Sequence, residues 1–252
     1  MIKKIFNIFS NSLKGRNSLV IINNIIKRFK KNTSIEATKW AAENTENFNT
    51  FAKAINREIY EESITFSKNL DKKANEKLSN LNIDLGGGGF HQLLYFITRL
   101  RKPKIVVETG VAAGFSSQSI LSALNNNKFG TLYSSDFPYF RITNPEKYIG
   151  FVVDEKLKKN WNLYIEGDEY ALPKIVKNFD KIDLFHYDSD KSYNGRRNAL
   201  KIIEKYIDDN TIIIIDDIQD NLFFYDFLKF FKRNYKVFCF KNKYIGIIYN
   251  KI

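Results

Sequence analysis

A short run of acid, glycine and serine residues near the middle of the chain has the composition of a ligand-binding turn. Gly110 and Gly114 allow the backbone to come close to a ligand, where a side chain would block it. The helix expected to begin after Gly114 offers amide and hydroxyl donors to a carboxylate, and Glu108 offers an acceptor to an ammonium group. Anion donors beside a cation acceptor suit the amino-acid end of a cofactor better than a pyrophosphate. We predict that the cofactor contacts Glu108, Gly110, Val111, Gly114, Ser116 and Ser117.

Two further acids follow apolar runs and would complete a nucleoside site. Asp136 lies 26 residues after Gly110, where a carboxylate can accept both hydroxyls of a ribose. Asp168 ends the next apolar run, where it can reach an adenine amino group. The alternative is that both are ordinary turn residues. Because ligands of open α/β sheets bind at the carboxyl ends of strands, four such elements at strand ends favour the binding site.

Three aspartates end the two apolar runs that come next, with Asp188 after one run and Asp216 and Asp217 after the other. Carboxylates so close together are costly unless they are protonated or neutralised. A hard divalent cation such as Mg²⁺ would neutralise them and lower the pKa of a bound substrate hydroxyl. We therefore predict Asp188, Asp216 and Asp217 as metal ligands, with Asp188 also catalytic. The alternatives are an acidic strand edge in which Asp217 caps a helix, or neutralisation by Lys191 folding back.

The chain contains two histidines. His91 follows the glycine run 86–89, which is expected to form a flexible flap near the cofactor, and it is a candidate general base. If Lys191 neutralises the aspartates, His91 becomes the better candidate for that base. His186 lies inside an apolar run, where a histidine packed under a helix is the expected state.

The second half of the chain alternates between apolar β-branched runs and helical patterns, which predicts a doubly wound parallel sheet. The unbroken isoleucines before Asp216 are typical of a strand that is buried on both faces. A tight turn at Asn242 joins the last two strands as a hairpin. The fold class is thus α/β, a Rossmann-like seven-stranded sheet. The predicted strands are 104–108, 131–136, 162–166, 182–188, 211–216, 235–240 and 244–250, and the helices among them are 115–125, 170–178, 194–206 and about 221–232.

The first part of the chain has a different character. Residues 1–80 contain no proline and one glycine, and their apolar residues recur at helical spacing. Residues 1–31 hold eight basic residues and no acid, so most of the net charge of +12 belongs to this arm. Such an arm could contact nucleic acid, an anionic membrane surface or an acidic partner, or could be a solvated helical face. We predict a helical extension over 1–85 and a second domain over 86–252.

These motifs resemble those of class I S-adenosylmethionine-dependent methyltransferases. The resemblance is closest to a bacterial group that includes macrocin-type sugar O-methyltransferases, and the motifs are similar also to those of metal-dependent catechol and caffeoyl-CoA O-methyltransferases. It implies S-adenosylmethionine as the cofactor, and ligand roles for the positions of the three aspartates. The matching pieces are residues 108–114, 161–168 with Leu172 and Pro173, 183–193, and 215–218 with Asn221.

The expected function is O-methyl transfer to a small-molecule hydroxyl of a sugar, a glycan precursor or a natural product. One alternative is a nucleic-acid methyltransferase using the basic arm, although no Asn-Pro-Pro-Tyr-like or Pro-Cys motif is present. The other is a non-catalytic cofactor-binding adaptor. One cysteine excludes a disulfide framework, and no apolar run approaches the roughly 20 residues of a membrane span. We expect a cytoplasmic protein, with a homo-oligomer and peripheral membrane contact by the arm left open.

Overall fold

The computed structural model describes residues 34–81, 83–137 and 142–252. The predicted basic arm, residues 1–31, lies outside the described residues. The described α-helices are α1 (Ile35–Glu43), α2 (Phe48–Ile55), α3 (Arg57–Ser79), α4 (His91–Arg101), α5 (Phe115–Asn127), α6 (Asp168–Ile175), α7 (Tyr193–Ile203) and α8 (Phe223–Phe230). The described strands are β1 (Thr45–Glu46), β2 (Ile105–Thr109), β3 (Thr131–Ser135), β4 (Trp161–Tyr164), β5 (Leu184–Tyr187), β6 (Ile212–Ile215), β7 (Asn234–Phe240) and β8 (Lys243–Tyr249).

The strands form one sheet in the order β1-β7-β8-β6-β5-β2-β3-β4. Strand β8 runs antiparallel to both of its neighbours, whereas the other pairs are parallel. The Rossmann-like fold and its C-terminal hairpin are thus confirmed, and the seven predicted strands are all present. An eighth strand, β1, comes from the segment predicted to be helical, because Thr45 and Glu46 pair with Val237 and Phe238 at the edge of the sheet.

Alternating side chains of the central strands enter two apolar cores, one on each face of the sheet. Val106, Leu184 and Ile214 pack towards α4 and α5, whereas Val107, Phe185 and Ile213 pack towards α6, α7 and α8. Burial on both faces explains why β6 is an unbroken run of isoleucines. Among the helices of the described residues, none combines the length and apolar character that crossing a bilayer would require.

The described part of the N-terminal extension shares both of these cores. Ala41 of α1 is buried in one core, whereas Phe48 of α2 and Tyr60 of α3 are buried in the other. The extension therefore passes around the β1 edge of the sheet, and it contributes to the two cores that the sheet forms with its helices.

Candidate functional site

The residues predicted to do chemistry lie at one edge of the sheet because each follows a parallel strand. Backbone hydrogen bonds continue past the strand ends, from Gly110 N to Ser135 O at 2.8 Å and from Asp188 N to Thr109 O at 2.9 Å. Asp216 N likewise donates to Tyr187 O at 3.0 Å. These bonds hold the glycine turn between the acids of the neighbouring strands.

The turn after β2 requires glycine at both of its ends. Gly110 and Gly114 have φ values of 83° and 97°, in the left-handed region. A Cβ at Gly110 would collide with the carbonyl oxygen of Asp188, and one at Gly114 would lie 2.7 Å from Gly150 Cα. The chain after the long connection also fixes the turn, because Gly150 N donates to Ala112 O and Val152 N donates to Ala113 O, each at 2.9 Å. The glycines therefore serve close packing between chain segments as well as the approach of a ligand.

Asp136 lies against this turn, as expected for a group that shares a ligand with it. One carboxylate oxygen accepts the amides of Val111 at 3.1 Å and Ala112 at 2.6 Å, and the other accepts the amide of Phe137 at 2.6 Å. Burial raises the pKa of Asp136 to about 6, although the three amides oppose that rise. Its role towards a ribose stays a prediction.

Asp168, the first residue of α6, is tied to both neighbouring strand ends. Its carboxylate accepts hydrogen bonds from Ser135 Oγ at 2.5 Å and from the hydroxyl of Ser189. Burial raises the pKa of Asp168 against these two hydroxyls. Sequence reasoning missed both serines, and the available signal was their position directly before Asp136 and directly after Asp188.

Glu108 has a different environment from the one predicted. It is fully buried, and its Oε2 accepts the hydroxyls of Ser117 at 2.6 Å and Ser134 at 2.7 Å. Ser117 therefore donates to Glu108, and its contact with the cofactor stays a prediction. Ser116 lies half-buried in the same first turn of α5. A carboxylate without accessible surface can hold an ammonium group only if the cleft opens, and that contact stays a prediction.

The three aspartates do not form the predicted oxygen cluster. The ammonium of Lys191 pairs with Asp188 and lies 3.1 Å from Asp217, which is also 3.3 Å from the ammonium of Lys243. Asp216 points towards His186 instead, with 3.6 Å between Oδ1 and Nε2. Within the described ranges, no group of three or more histidine, cysteine, aspartate or glutamate side chains is arranged to hold a metal ion. The arrangement does not fit a divalent cation, because a lysine ammonium occupies the position between the carboxylates.

The pKa values of Lys191 and Asp217 in this cluster are shifted by their surroundings. Burial lowers the pKa of Lys191, against the opposing effect of Asp217 and Asp216. Burial alone would raise the pKa of Asp217, but the ammonium groups of Lys191 and Lys243 hold it at about 2. Asp217 has a φ of 54° and its side chain caps no helix. Its backbone is held by buried Arg196, which donates to the carbonyls of Asp216 at 3.0 Å and Asp217 at 2.8 Å and which sequence reasoning also missed.

His91, the candidate general base, begins α4 and is buried. Its Nε2 lies 3.0 Å from Ser67 Oγ and 3.4 Å from Asp71 Oδ1, and its Nδ1 lies 3.0 Å from Gly89 O. Burial lowers the pKa of this imidazole. With both ring nitrogens engaged inside the N-terminal half of the chain, His91 does not have the geometry of a general base for this cleft.

Two segments pack around the start of α5, beside the glycine turn. In the glycine run 86–89, a Cβ at Gly88 would lie 2.7 Å from the Phe115 ring and one at Gly89 would lie 2.9 Å from Asp216 Oδ2. In the connection 137–161, Ile142, Tyr148 and Phe151 pack against the cluster that contains Phe115. Tyr139 and Phe140 of the same connection lie outside the described residues.

Comparison with known proteins agrees with this architecture. Residues 107–218 match a family model described as a methyltransferase domain. No curated protein matches the chain. Among solved structures, the methyltransferase PaMTH1 of Podospora anserina, bound to S-adenosylhomocysteine, is 14% identical with a TM-score of 0.54 over 73% of this chain and 88% of that one.

Two O-methyltransferases give similar values. The enzyme from Bacillus cereus, in complex with S-adenosylhomocysteine, is 13% identical with a TM-score of 0.55 over 71% of this chain and 90% of that one. TomG of Streptomyces achromogenes, which is involved in tomaymycin synthesis and was solved with S-adenosylmethionine, is 14% identical with a TM-score of 0.52 over 72% and 89%. Identities this low show the fold. The fold that the resemblance to class I S-adenosylmethionine-dependent methyltransferases implies is thus confirmed, whereas the macrocin-type subgroup stays a prediction.

Proposed function

We propose that this chain is an O-methyltransferase that uses S-adenosylmethionine to methylate a hydroxyl group of a small molecule, such as a sugar, a glycan precursor or a natural product. The observation that carries the proposal is the position of Lys191 Nζ, which lies between the carboxylates of Asp188 and Asp217 beside the glycine turn. A cofactor cradle and an amine that can accept a proton in its neutral form thus share one edge of the sheet.

The residues at this edge suit the cofactor. The N-terminal end of α5, with Ser116, would hold its carboxylate, Asp136 its ribose and Asp168 its adenine. The absence of a Cβ at Gly110 and Gly114 keeps the turn closed on the neighbouring chain. When bound, S-adenosylmethionine supplies the electrophilic methyl group.

The remaining requirement is an acceptor oxygen that is held in line and loses its proton. Lys191 suits that task, because burial lowers its pKa and so makes the neutral amine, which can take a proton, easier to form. Asp188 and Asp217 orient the Nζ atom and stabilise the ammonium that results. Asp216 lies close to Gly89, since a Cβ at that glycine would be 2.9 Å from Asp216 Oδ2.

The Mg²⁺-assisted alternative requires a rearrangement of the cluster. A divalent cation would have to displace the Lys191 ammonium, and Asp216 would have to turn away from His186. The two mechanisms differ in what removes the proton, and therefore in their response to a chelator.

The packing around the start of α5 favours a small acceptor. The glycine run 86–89 and the aromatic residues Tyr148 and Phe151 surround Phe115 at the start of α5. A nucleic-acid substrate would instead rely on the basic arm 1–31, and an adaptor would bind cofactor without turnover. The division into an extension over 1–85 and a domain over 86–252 remains part of this proposal.

The test combines cofactor binding with an acceptor screen. Calorimetry should show S-adenosylhomocysteine binding in the micromolar range, about −8 kcal/mol. Labelled S-adenosylmethionine should then transfer its methyl group to a hydroxyl compound in the presence of excess chelator. Lys191→Met should retain cofactor affinity and lose turnover by roughly 10²–10⁴-fold. Lys243→Met is the matched control, because Lys243 pairs with the same Asp217 but is well exposed, and it should lose less than about tenfold.

Three results would contradict the proposal in distinguishable ways. Full turnover by Lys191→Met would remove the lysine from the proton transfer. Loss of turnover in chelator, with recovery on adding Mg²⁺, would establish the metal-assisted mechanism. Cofactor binding without transfer to any hydroxyl acceptor would favour the adaptor.

A further inference from the structure

A buried histidine lies between the cofactor side and the acceptor side of the proposed site. His186 is on β5, directly opposite Glu108 of β2, and it has no accessible surface. Its Nδ1 lies 3.7 Å from Glu108 Oε1, and its Nε2 lies 3.6 Å from Asp216 Oδ1. Each ring nitrogen therefore faces a different carboxylate.

This geometry favours a positively charged ring. A neutral imidazole carries one N–H, so one of its nitrogens would direct a lone pair at a carboxylate. An imidazolium presents an N–H to both. Burial alone would lower the pKa of His186, but Asp216 and Glu108 raise it to about 9. With both carboxylates ionised, the three groups carry a single net negative charge.

Glu108 connects this charge to the elements that present the cofactor-binding groups. Its Oε2 accepts Ser117 from the first turn of α5 and Ser134 from β3, two residues before Asp136. Ser134 also accepts the indole N–H of Trp161 from β4. No hydrogen bond from the described residues reaches Glu108 Oε1 or either ring nitrogen of His186, so the ion pairs are what hold this oxygen and the ring in place.

We propose that His186 is a positioning residue whose imidazolium balances the negative charges of Glu108 and Asp216. It thereby holds the start of α5, the end of β3 and the Asp216 carboxylate in register. The proposal rests on the function proposed above. Lys191 cannot substitute for the ring, because Asp188 and Asp217 already engage its ammonium. Removing the ring would leave two buried carboxylates without a cation, which is a costly state.

The experiment is a charge-balance rescue read out by calorimetric binding of S-adenosylhomocysteine and by urea unfolding. His186→Gln removes the positive charge and should weaken cofactor affinity at least about tenfold while lowering the urea midpoint. His186→Gln with Asp216→Asn restores the original net charge, and it should recover affinity to within about threefold of the parent. Phe185→Leu is the control: it alters a buried ring on the opposite face of the same strand, and Asp216→Asn should not rescue its stability.

The outcomes separate this proposal from the proposed function. If the unmodified protein binds no S-adenosylhomocysteine, the proposed function fails. If it binds, and His186→Gln binds equally well, the positioning role is wrong. The role is also wrong if the double variant gains nothing over the single one, or if neither variant folds, because a ring that only fills space cannot be replaced by correcting charge. A single variant that unfolds beside a folded double variant supports the proposal.

Discussion

Alanine substitutions at three glycines should separate the conformational cost and the steric cost of a Cβ in the turn before α5. Gly110 lies in that turn, and Gly86 and Gly87 of the glycine run 86–89 are the reference positions. At Gly87, no neighbouring atom lies within 4 Å of the position that a Cβ would take, and the backbone does not have a positive φ. Gly86 has the same open surroundings but a φ of 81°. Gly110 has a φ of 83° and a backbone carbonyl in the space that a Cβ would fill. The series thus adds first the conformational cost and then the steric one.

The expected free energies of unfolding follow from these differences. Gly87→Ala should change stability by less than about 0.5 kcal/mol. Gly86→Ala should cost about 1–2 kcal/mol, the penalty of the left-handed region for a residue with a Cβ. Gly110→Ala should cost about 2–5 kcal/mol, because overpacking against a backbone atom adds about 1–3 kcal/mol to that penalty. The obstacle is the Asp188 carbonyl, which β2 and β5 hold in place and which cannot rotate away as a side chain could.

Urea denaturation of the three variants measures these values, and calorimetry with S-adenosylhomocysteine shows whether the turn still binds. We expect Gly110→Ala to lose cofactor binding and Gly87→Ala to retain it. Equal stability of the Gly110 and Gly86 variants would show that the turn relaxes around a Cβ, and the steric argument would then be wrong. A full loss of stability in the Gly87 variant would refute the reasoning for the whole series.

Two further predictions concern Asp136, which is proposed to bind the ribose, and the basic arm 1–31. Burial raises the pKa of Asp136 from 3.8 to about 6, so the folded state holds this proton more tightly than the unfolded state does. The protonated carboxyl therefore contributes most to the free energy of unfolding below pH 4. That contribution is lost as the pH rises through about 6. Asp136→Asn should remove that part of the pH dependence of stability, measured by urea titrations. Asp136→Ala should weaken the binding of S-adenosylhomocysteine at pH 7. Unchanged affinity would show that Asp136 does not bind the ribose. Deleting residues 1–31 should leave cofactor affinity intact and reduce binding to heparin or anionic liposomes; a folded truncation that no longer binds cofactor would assign the arm to the active site.

The architecture, and the sheet edge at which the candidate site residues lie, were predictable from the sequence. Apolar runs with intervening helical patterns predicted the strands around β2, β5 and β6, because a strand that is buried on both faces is mostly apolar. The glycine turn and Asp136 were predictable for a similar reason, since the ends of parallel strands meet at one edge and ligands bind there. The resemblance to methyltransferases depended on these same local patterns.

The tertiary structure alone decided which side chains pair within that edge. Lys191 turns back onto Asp188 and Asp217, Ser117 donates to Glu108, and His186 bridges Glu108 and Asp216. Strand β1 was missed as well, because its two residues are a strand only through their pairing with β7. The physical reason is common to all of these: a local pattern fixes the periodicity of a segment, whereas the charge and partners of a buried side chain depend on the register between strands that are distant in sequence.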